Sequence, residues 1–265
     1  MIDSERLFVH VPYALVDQYR NLIQKAGLAL EVLVEAQNLE VSTLEGMAEE
    51  INGLKAITGR VAIHAPYADL DPGHPVEANR EETLRLLTLT FALSQATEAS
   101  YVVAHTGYDP SRVETDPSGW RARSLETWNE LLAHPAADGV ALALEHTLEP
   151  EPSILWDLVA SLPADRVGVC LDTGHLNCFA KAPPSVWWAT LGKRVTVLHM
   201  HDNRGQDDDH LGIGEGTFDF AALFRWLKRT NLTPFATIEG RDPEAVATSL
   251  SALGFPFDPA LLDFS

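Results

Sequence analysis

GVALALEHT (Gly139–Thr147) is a run of small and branched apolar residues that closes on an acid and an imidazole. A continuous apolar run this short, flanked by turn residues, reads as a strand buried on both faces, the pattern of a parallel sheet. Seven further runs share its build. Upstream lie Leu7–Pro12 (LFVHVP), Leu28–Ala36 (LALEVLVEA), Arg60–Tyr67 (RVAIHAPY) and Ser100–Gly107 (SYVVAHTG). Downstream lie Arg166–His175 (RVGVCLDTGH), Arg194–Asp202 (RVTVLHMHD) and Pro234–Gly240 (PFATIEG). Successive runs start 21 to 40 residues apart. That spacing fits a strand, a crossover helix and two loops.

The intervening segments read as helices. Asp17–Ala26 stops at Gly27, a C-cap residue. Thr43 and Ser124 stand as N-caps, with acids in the turns that follow. Glu81–Ala96 sets Leu84, Leu87, Phe91 and Ala92 along one face, Phe220–Lys228 ends basic, and Pro243–Leu253 closes the pattern. Eight alternating units predict an α/β fold, a single (β/α)8 TIM barrel over residues 1–265, with an open doubly wound sheet as the alternative. The length of 265 residues suits closure, because such barrels run to about 250 residues.

The composition narrows the function classes. Lys plus Arg is 19 and Asp plus Glu is 38, so the net charge is −19. This argues against a broad phosphate-gripping surface and against docking to anionic membranes. Two cysteines, Cys170 and Cys178, cannot build a disulfide framework. There is no long apolar run, and Met1–Arg6 is polar, without the apolar core of a signal segment. A cytoplasmic enzyme is the expectation.

Buried strands carry ionisable groups only for a reason. Here every run has one near its C-terminal end: His10, Glu35, His64, His105, Glu145, Asp172 with His175, His199 with His201, and Glu239. In a parallel barrel those ends share one face, where active sites lie. The loop after the seventh run adds Asp207, Asp208, Asp209 and His210. Carboxylates gathered there repel one another, and a divalent cation relieves the repulsion through these side chains. Asp208 and His210, two apart, both face inward if that segment is extended. A tight turn brings Asp172 and His175 together.

At these residues the chain resembles the xylose isomerase-like TIM-barrel superfamily, which holds sugar isomerases, ketose epimerases and the endonuclease IV family. The motifs are HAPY (His64–Tyr67), VVAHTG (Val102–Gly107), LALEHT (Leu142–Thr147), GVCLDTGH (Gly168–His175), HMHDN (His199–Asn203), DDHLGIGEG (Asp208–Gly216) and TIEG (Thr237–Gly240). They identify the superfamily more sharply than the reaction. Its epimerases imply a one-metal site of Glu145, Asp172, His199 and Glu239. There Glu145 and Glu239 double as the catalytic acid/base pair, and His175 and Arg204 contact substrate oxygens. Its endonuclease IV branch implies three zinc ions on His64, His105, Glu145, Asp172, His175, His199, Asp208, His210 and Glu239, with Tyr67 near the damaged nucleotide.

The remaining sequence leans toward the first branch. The loop Gln37–Ser42 lacks Arg and Lys, and Glu149–Ser153 is acidic. The cations near the mouth are Arg112, Arg121, Lys181, Arg204 and Arg241. The expectation is therefore an isomerase or epimerase of a small sugar or sugar phosphate, using one to three Mn, Co, Mg or Zn ions. His64, His105, His175, His201, Arg204 and Arg241 are its candidate substrate contacts. A phosphodiester hydrolase acting on abasic DNA is the first alternative, and a dehydratase or sugar-binding barrel the second. Nucleic acid is a disfavoured partner, and a homodimer is the assembly to test for. Gly212–Gly216 has the look of a phosphate cradle or a simple turn. Trp187 and Trp188 belong to the mouth, a subunit contact or the core.

Overall fold

The structure is a computed structural model that describes residues 2–255 apart from 18, 21, 22, 24–26 and 69. Its eight strands are β1 (Leu7–Pro12), β2 (Ala29–Leu33), β3 (Val61–His64), β4 (Val102–His105), β5 (Leu142–Glu145), β6 (Val167–Asp172), β7 (Val195–Met200) and β8 (Phe235–Ile238). All neighbours pair in parallel, and β8 returns to β1, so the barrel is closed rather than an open sheet. Each strand falls inside one of the eight apolar runs.

Alternation along the strands sorts the barrel into layers. Phe8, Ala29, Ala62, Val103, Ala143, Cys170 and Val197 form one buried cluster with Tyr101 and Phe235. These residues plug the interior. Two residues further along come His10, Glu31, His64, His105, Glu145, Asp172 and His199, so the plug is the floor of a polar mouth. The residues between them, such as Val9, Leu30, Ile63, Leu144, Leu171 and Leu198, pack in the larger outer core against the helices.

One irregularity matters to the mouth. Val169 pairs with Val195, but Cys170 pairs with Val197, leaving Thr196 as an extra residue in β7. A one-residue slip turns every later side chain to the other face. The extra Thr196 is what aligns His199 with Asp172.

Most of the described helices cover the outer face: α1 (Leu44–Thr58), α2 (Glu77–Thr97), α3 (Pro117–Ala133), α4 (Pro152–Val159), α6 (Pro184–Leu191), α7 (Phe220–Thr230) and α8 (Pro243–Ala252), while α5 (Thr173–Cys178) opens at the mouth and a one-turn helix spans Pro110–Val113. Part of the expected Asp17–Ala26 helix lies outside the described residues. Ser124 is not an N-cap: it is buried inside α3, whose start is set by Asp116, which accepts a hydrogen bond from the Gly119 N–H. Asp-Pro is the stronger start signal, since proline suits the first helical position; Asp242-Pro243 repeats it at α8. Thr43 precedes α1 as expected, yet its hydroxyl donates to the Asn38 and Glu40 carbonyls instead of capping the helix. Trp187 and Trp188 belong to the core, and Trp188 stacks on Trp226 at 5.7 Å.

The Phe8 ring meets Tyr101 and Phe235 edge-on at 5.2 and 5.8 Å and is fully buried. Phe8→Ala should lower the unfolding free energy by about 3–5 kcal/mol, read from urea denaturation. A loss under about 1 kcal/mol would show that the floor repacks freely.

Candidate metal centre

Every strand feeds the mouth. β1 to β5 bring His10, Glu31, His64, His105 and Glu145, β6 brings Asp172, β7 brings His199, and Glu239 follows β8. Asp172 also caps α5, accepting from the His175 N–H at 2.7 Å, so one turn places both side chains in the site. His201 follows β7 directly. Asp208 and His210 arrive on the loop after it.

The carboxylates divide the imidazoles between them. Glu145 Oε2 lies 3.1 Å from His64 Nε2 and 3.3 Å from His105 Nε2. Its Oε1 lies 3.1 Å from His199 Nδ1 and 3.5 Å from His175 Nδ1. Glu239 Oε1 reaches His10 Nδ1 at 3.0 Å and the same His199 Nδ1 at 3.1 Å. Asp172 Oδ2 meets His201 Nε2 at 3.1 Å. Asp208 Oδ2 meets His210 Nε2 at 3.1 Å and His175 Nε2 at 3.4 Å. The rings of His201 and His210 stack at 3.9 Å. Asp208 and His210 do converge, but not through extended backbone: His210 has φ +48°, the left-handed region.

The electrostatics follow from burial. Desolvation pushes the Glu145 and Glu239 carboxyls up, but His199 first, then His105 and His10 respectively, hold them well below the usual range. Burial alone would lower His10, yet the Glu239 and Glu31 carboxylates carry it to about 9. His175 resists the same penalty and rises to about 10 beside Asp172, Asp208 and Glu145. These imidazoles thus offset the acids' charge, a task that a bound cation would take over.

The donor set suits a divalent cation. Ligand atoms of Glu145, Asp172 and His175 lie within 4.8 Å of one another, as do those of His64, His105 and Glu145, and of His201, His210 and Glu239. Buried His201 Nδ1 and Asp208 Oδ1 have no directed hydrogen-bond partner. Buried polar atoms left in this state point to a ligand.

A loop anchor holds Asp208 and His210 in place. Asp202 and Leu211 close the loop through paired backbone hydrogen bonds of 2.9 and 2.8 Å. The fully buried Asp202 carboxylate then accepts the N–H groups of Asn203, Gly214, Gly216 and Phe218 at 2.9–3.1 Å. The glycine-rich stretch therefore wraps an internal carboxylate rather than presenting those two glycine N–H groups as a phosphate cradle. A Cβ on Gly216 would sit 2.2 Å from the Asn203 carbonyl oxygen, so only glycine fits.

Sequence reasoning missed Glu31 and Asp202. In LALEVLVEA it picked Glu35, nearest the strand end, but Glu35 is half-buried and accepts from Gln37 Nε2 at 2.7 Å. Glu31 is the fully buried one, paired in register with His10. A charged residue in the middle of an apolar run was the available signal. The candidate substrate contacts Arg204 and Arg241 sit exposed on the rim, beside Asp209 at 3.8 Å and Asp242 at 3.2 Å. Tyr67 is also exposed.

Residues 17–254 match the family model described as xylose isomerase-like TIM barrel. The chain belongs to that family. Fructoselysine 3-epimerase of Shigella flexneri is 25% identical over 173 residues, 62% of this chain and 60% of that protein. The chain spans 50% to 71% of the length of the curated relatives it matches. A solved D-tagatose 3-epimerase-like protein superposes with a TM-score of 0.79 at 23% identity, over 94% of this chain and 96% of its own, a likeness of fold. A Thermus thermophilus protein solved after soaking with zinc chloride gives 0.74 at 25% identity over 94% and 97%. No described helix is long and apolar enough to cross a membrane.

Asp202→Asn keeps the shape of the anchor but removes its charge and sets an amide N–H₂ among donors. Hydrogen exchange at Gly214, Gly216 and Phe218 should accelerate at least about tenfold, while β1 to β5 stay protected. Unchanged protection would show that the carboxylate does not hold the loop.

Proposed function

We propose that the chain is a divalent-metal-dependent isomerase or epimerase acting on a small sugar or sugar phosphate. The observation that carries this reading is the convergence of Glu145 Oε1 and Glu239 Oε1 on one atom, His199 Nδ1, each at 3.1 Å. Two carboxylates from β5 and the end of β8 thereby flank one point, an arrangement suited to taking a proton from one face of a carbon and returning one to the other. Glu145, Asp172, His199 and Glu239 would hold the cation. When bound, it lends Lewis acidity to the carbonyl beside that carbon.

In that chemistry one glutamate accepts the proton of the C–H bond next to the carbonyl. The bonding pair moves toward the carbonyl oxygen as an enediolate. The second glutamate then delivers a proton, drawn from an adjoining imidazole, to the opposite face. Neighbouring imidazoles hold both carboxyls well below their usual range, so the accepting glutamate is ionised at neutral pH. His64, His105, His175 and His201, with Arg204 and Arg241 at the rim, are the residues proposed to receive the sugar hydroxyls or a phosphate. The epimerase names among the relatives support the reading. Two free thiols, buried Cys170 and half-buried Cys178, fit a cytoplasmic setting.

One observation favours a second reading, phosphoester hydrolysis by a metal cluster. His64, His105, Asp208 and His210 all point into the site, more donors than a single cation needs. The net charge of −19 weighs against duplex DNA as that substrate.

Metal content of protein purified without added metal or chelator separates the two. One Mn, Co or Mg per chain, with turnover of a ketose, supports the isomerase. Two or three Zn per chain, with nicking of an abasic duplex and no ketose turnover, would replace it. Glu239→Gln should keep the fold by circular dichroism and lower kcat at least about 10²-fold; wild-type turnover would remove Glu239 from the acid/base pair.

A further inference from the structure

Glu31 is fully buried beneath the mouth, and neither the metal set nor the acid/base pair above uses it. Its two carboxylate oxygens have separate tasks. Oε2 accepts from the Thr237 hydroxyl at 2.7 Å, and that hydroxyl also lies 2.8 Å from the Tyr101 phenol. Tyr101 and Thr237 are themselves buried. The carboxylate is therefore fixed from below, on the barrel floor. Oε1 faces the site, 3.0 Å from His199 Nε2 and 3.5 Å from His10 Nδ1.

His199 is thus gripped from both ends of its ring. Nδ1 faces the Glu145 and Glu239 carboxylates at 3.1 Å, where the cation would sit. Nε2 faces Glu31. A carboxylate beside Nε2 favours the proton on that nitrogen, which leaves the Nδ1 lone pair free to coordinate. The same carboxylate holds the ring plane and raises the basicity of Nδ1.

Resting on the metal-dependent reading above, we propose that Glu31 is a positioning residue. Anchored by Thr237 and Tyr101, it fixes the tautomer and orientation of His199 so that Nδ1 is presented to the metal. Leaving an anion on the floor of the barrel is unfavourable unless it is matched, and here Thr237 donates to Oε2 while the His199 and His10 rings lie beside Oε1. The arrangement makes His199 a better ligand at the expense of burying one more charge.

The test is metal affinity, not turnover. Zinc and manganese are titrated into chelator-stripped protein against a chromophoric competitor, and the metal-free melting temperature is measured in parallel. Glu31→Gln keeps the shape and can still accept from Thr237, but it no longer demands a proton on Nε2. The expected result is about 10–100-fold weaker metal binding at unchanged stoichiometry and with an unchanged metal-free melting temperature. Thr237→Val, which keeps the carboxylate but frees it, should weaken binding less and in the same direction; it decides the matter if Glu31→Gln does not fold. Wild-type affinity in the folded variants would overturn the proposal. Loss of one metal equivalent, with the others bound as before, would overturn it too, since Glu31 would then be a ligand. If the wild-type chain binds neither metal, the metal-dependent reading itself fails, an outcome distinct from both.

Discussion

Like charges forced into one buried mouth are what the rest of this barrel must accommodate. Glu31, Glu145, Asp172, Asp208 and Glu239 face a common space, and four of the five are nearly or wholly buried. At such separations, repulsion between carboxylates of low exposure amounts to several kcal/mol even with generous screening. The fold answers with imidazoles at the ends of β1, β3, β4 and β7 and in the loops beyond. Each acid has at least one imidazole within 3.1 Å or, for Asp172 and Asp208, one on each of two sides. A cluster balanced this way is neutral enough to stay folded, yet its spare lone pairs remain directed at a shared point. That combination is what a metal centre would need, and it differs from an ordinary buried ion-pair network, in which every polar atom would be matched.

The scaffold keeps the balance by fixing side chains that have no chemistry of their own. The aromatic and aliphatic floor around Phe8, Tyr101 and Phe235 excludes water from below and sets the depth of Glu31. The extra residue Thr196 returns β7 to register, without which His199 and Asp172 would not lie side by side. Asp202 anchors its loop through backbone N–H groups, so Asp208 and His210 sit on a held segment and not on a free one. Rigid support is what lets several side chains from distant stretches of chain hold sub-ångström relationships.

Much of this could be read from the residues alone, and the failures have physical reasons. The eight apolar runs and the acids or imidazoles at their ends were visible because parallel strands expose their chemistry at one edge. Convergence of Asp172 with His175 followed from a turn at a helix start. Glu35 is the last charge in LALEVLVEA and so the expected mouth residue, while barrel stagger places the earlier Glu31 opposite His10. Asp202 looked like one acid of an HMHDN motif; that its carboxylate is consumed by glycine N–H groups ten or more residues later is a tertiary fact. The left-handed backbone at His210, likewise, is set by the closed loop rather than by local preference. The start of α3 was misplaced because Ser124 and its acids outweighed Asp116-Pro117, a signal as local and more specific.

The charge distribution then bears on what enters the mouth. The arginines nearest the rim already have acidic neighbours: Arg112 beside Asp71 at 2.9 Å, Arg204 beside Asp209, Arg241 beside Asp242. A polyanion gains affinity by releasing counterions to free cationic side chains, and cations already neutralised by aspartates offer little such gain against a chain of net charge −19. A sugar carries no comparable requirement. Its hydroxyls exchange water for imidazole and carboxylate partners one at a time, and a single phosphate needs only one arginine to turn from its aspartate. The exposed pairs at Arg204 and Arg241 are of the weak, solvent-screened kind that give way at small cost. The surface field thus weighs against a polyanion, and the donors and acceptors of the mouth fit the small polyhydroxylated ligand proposed above.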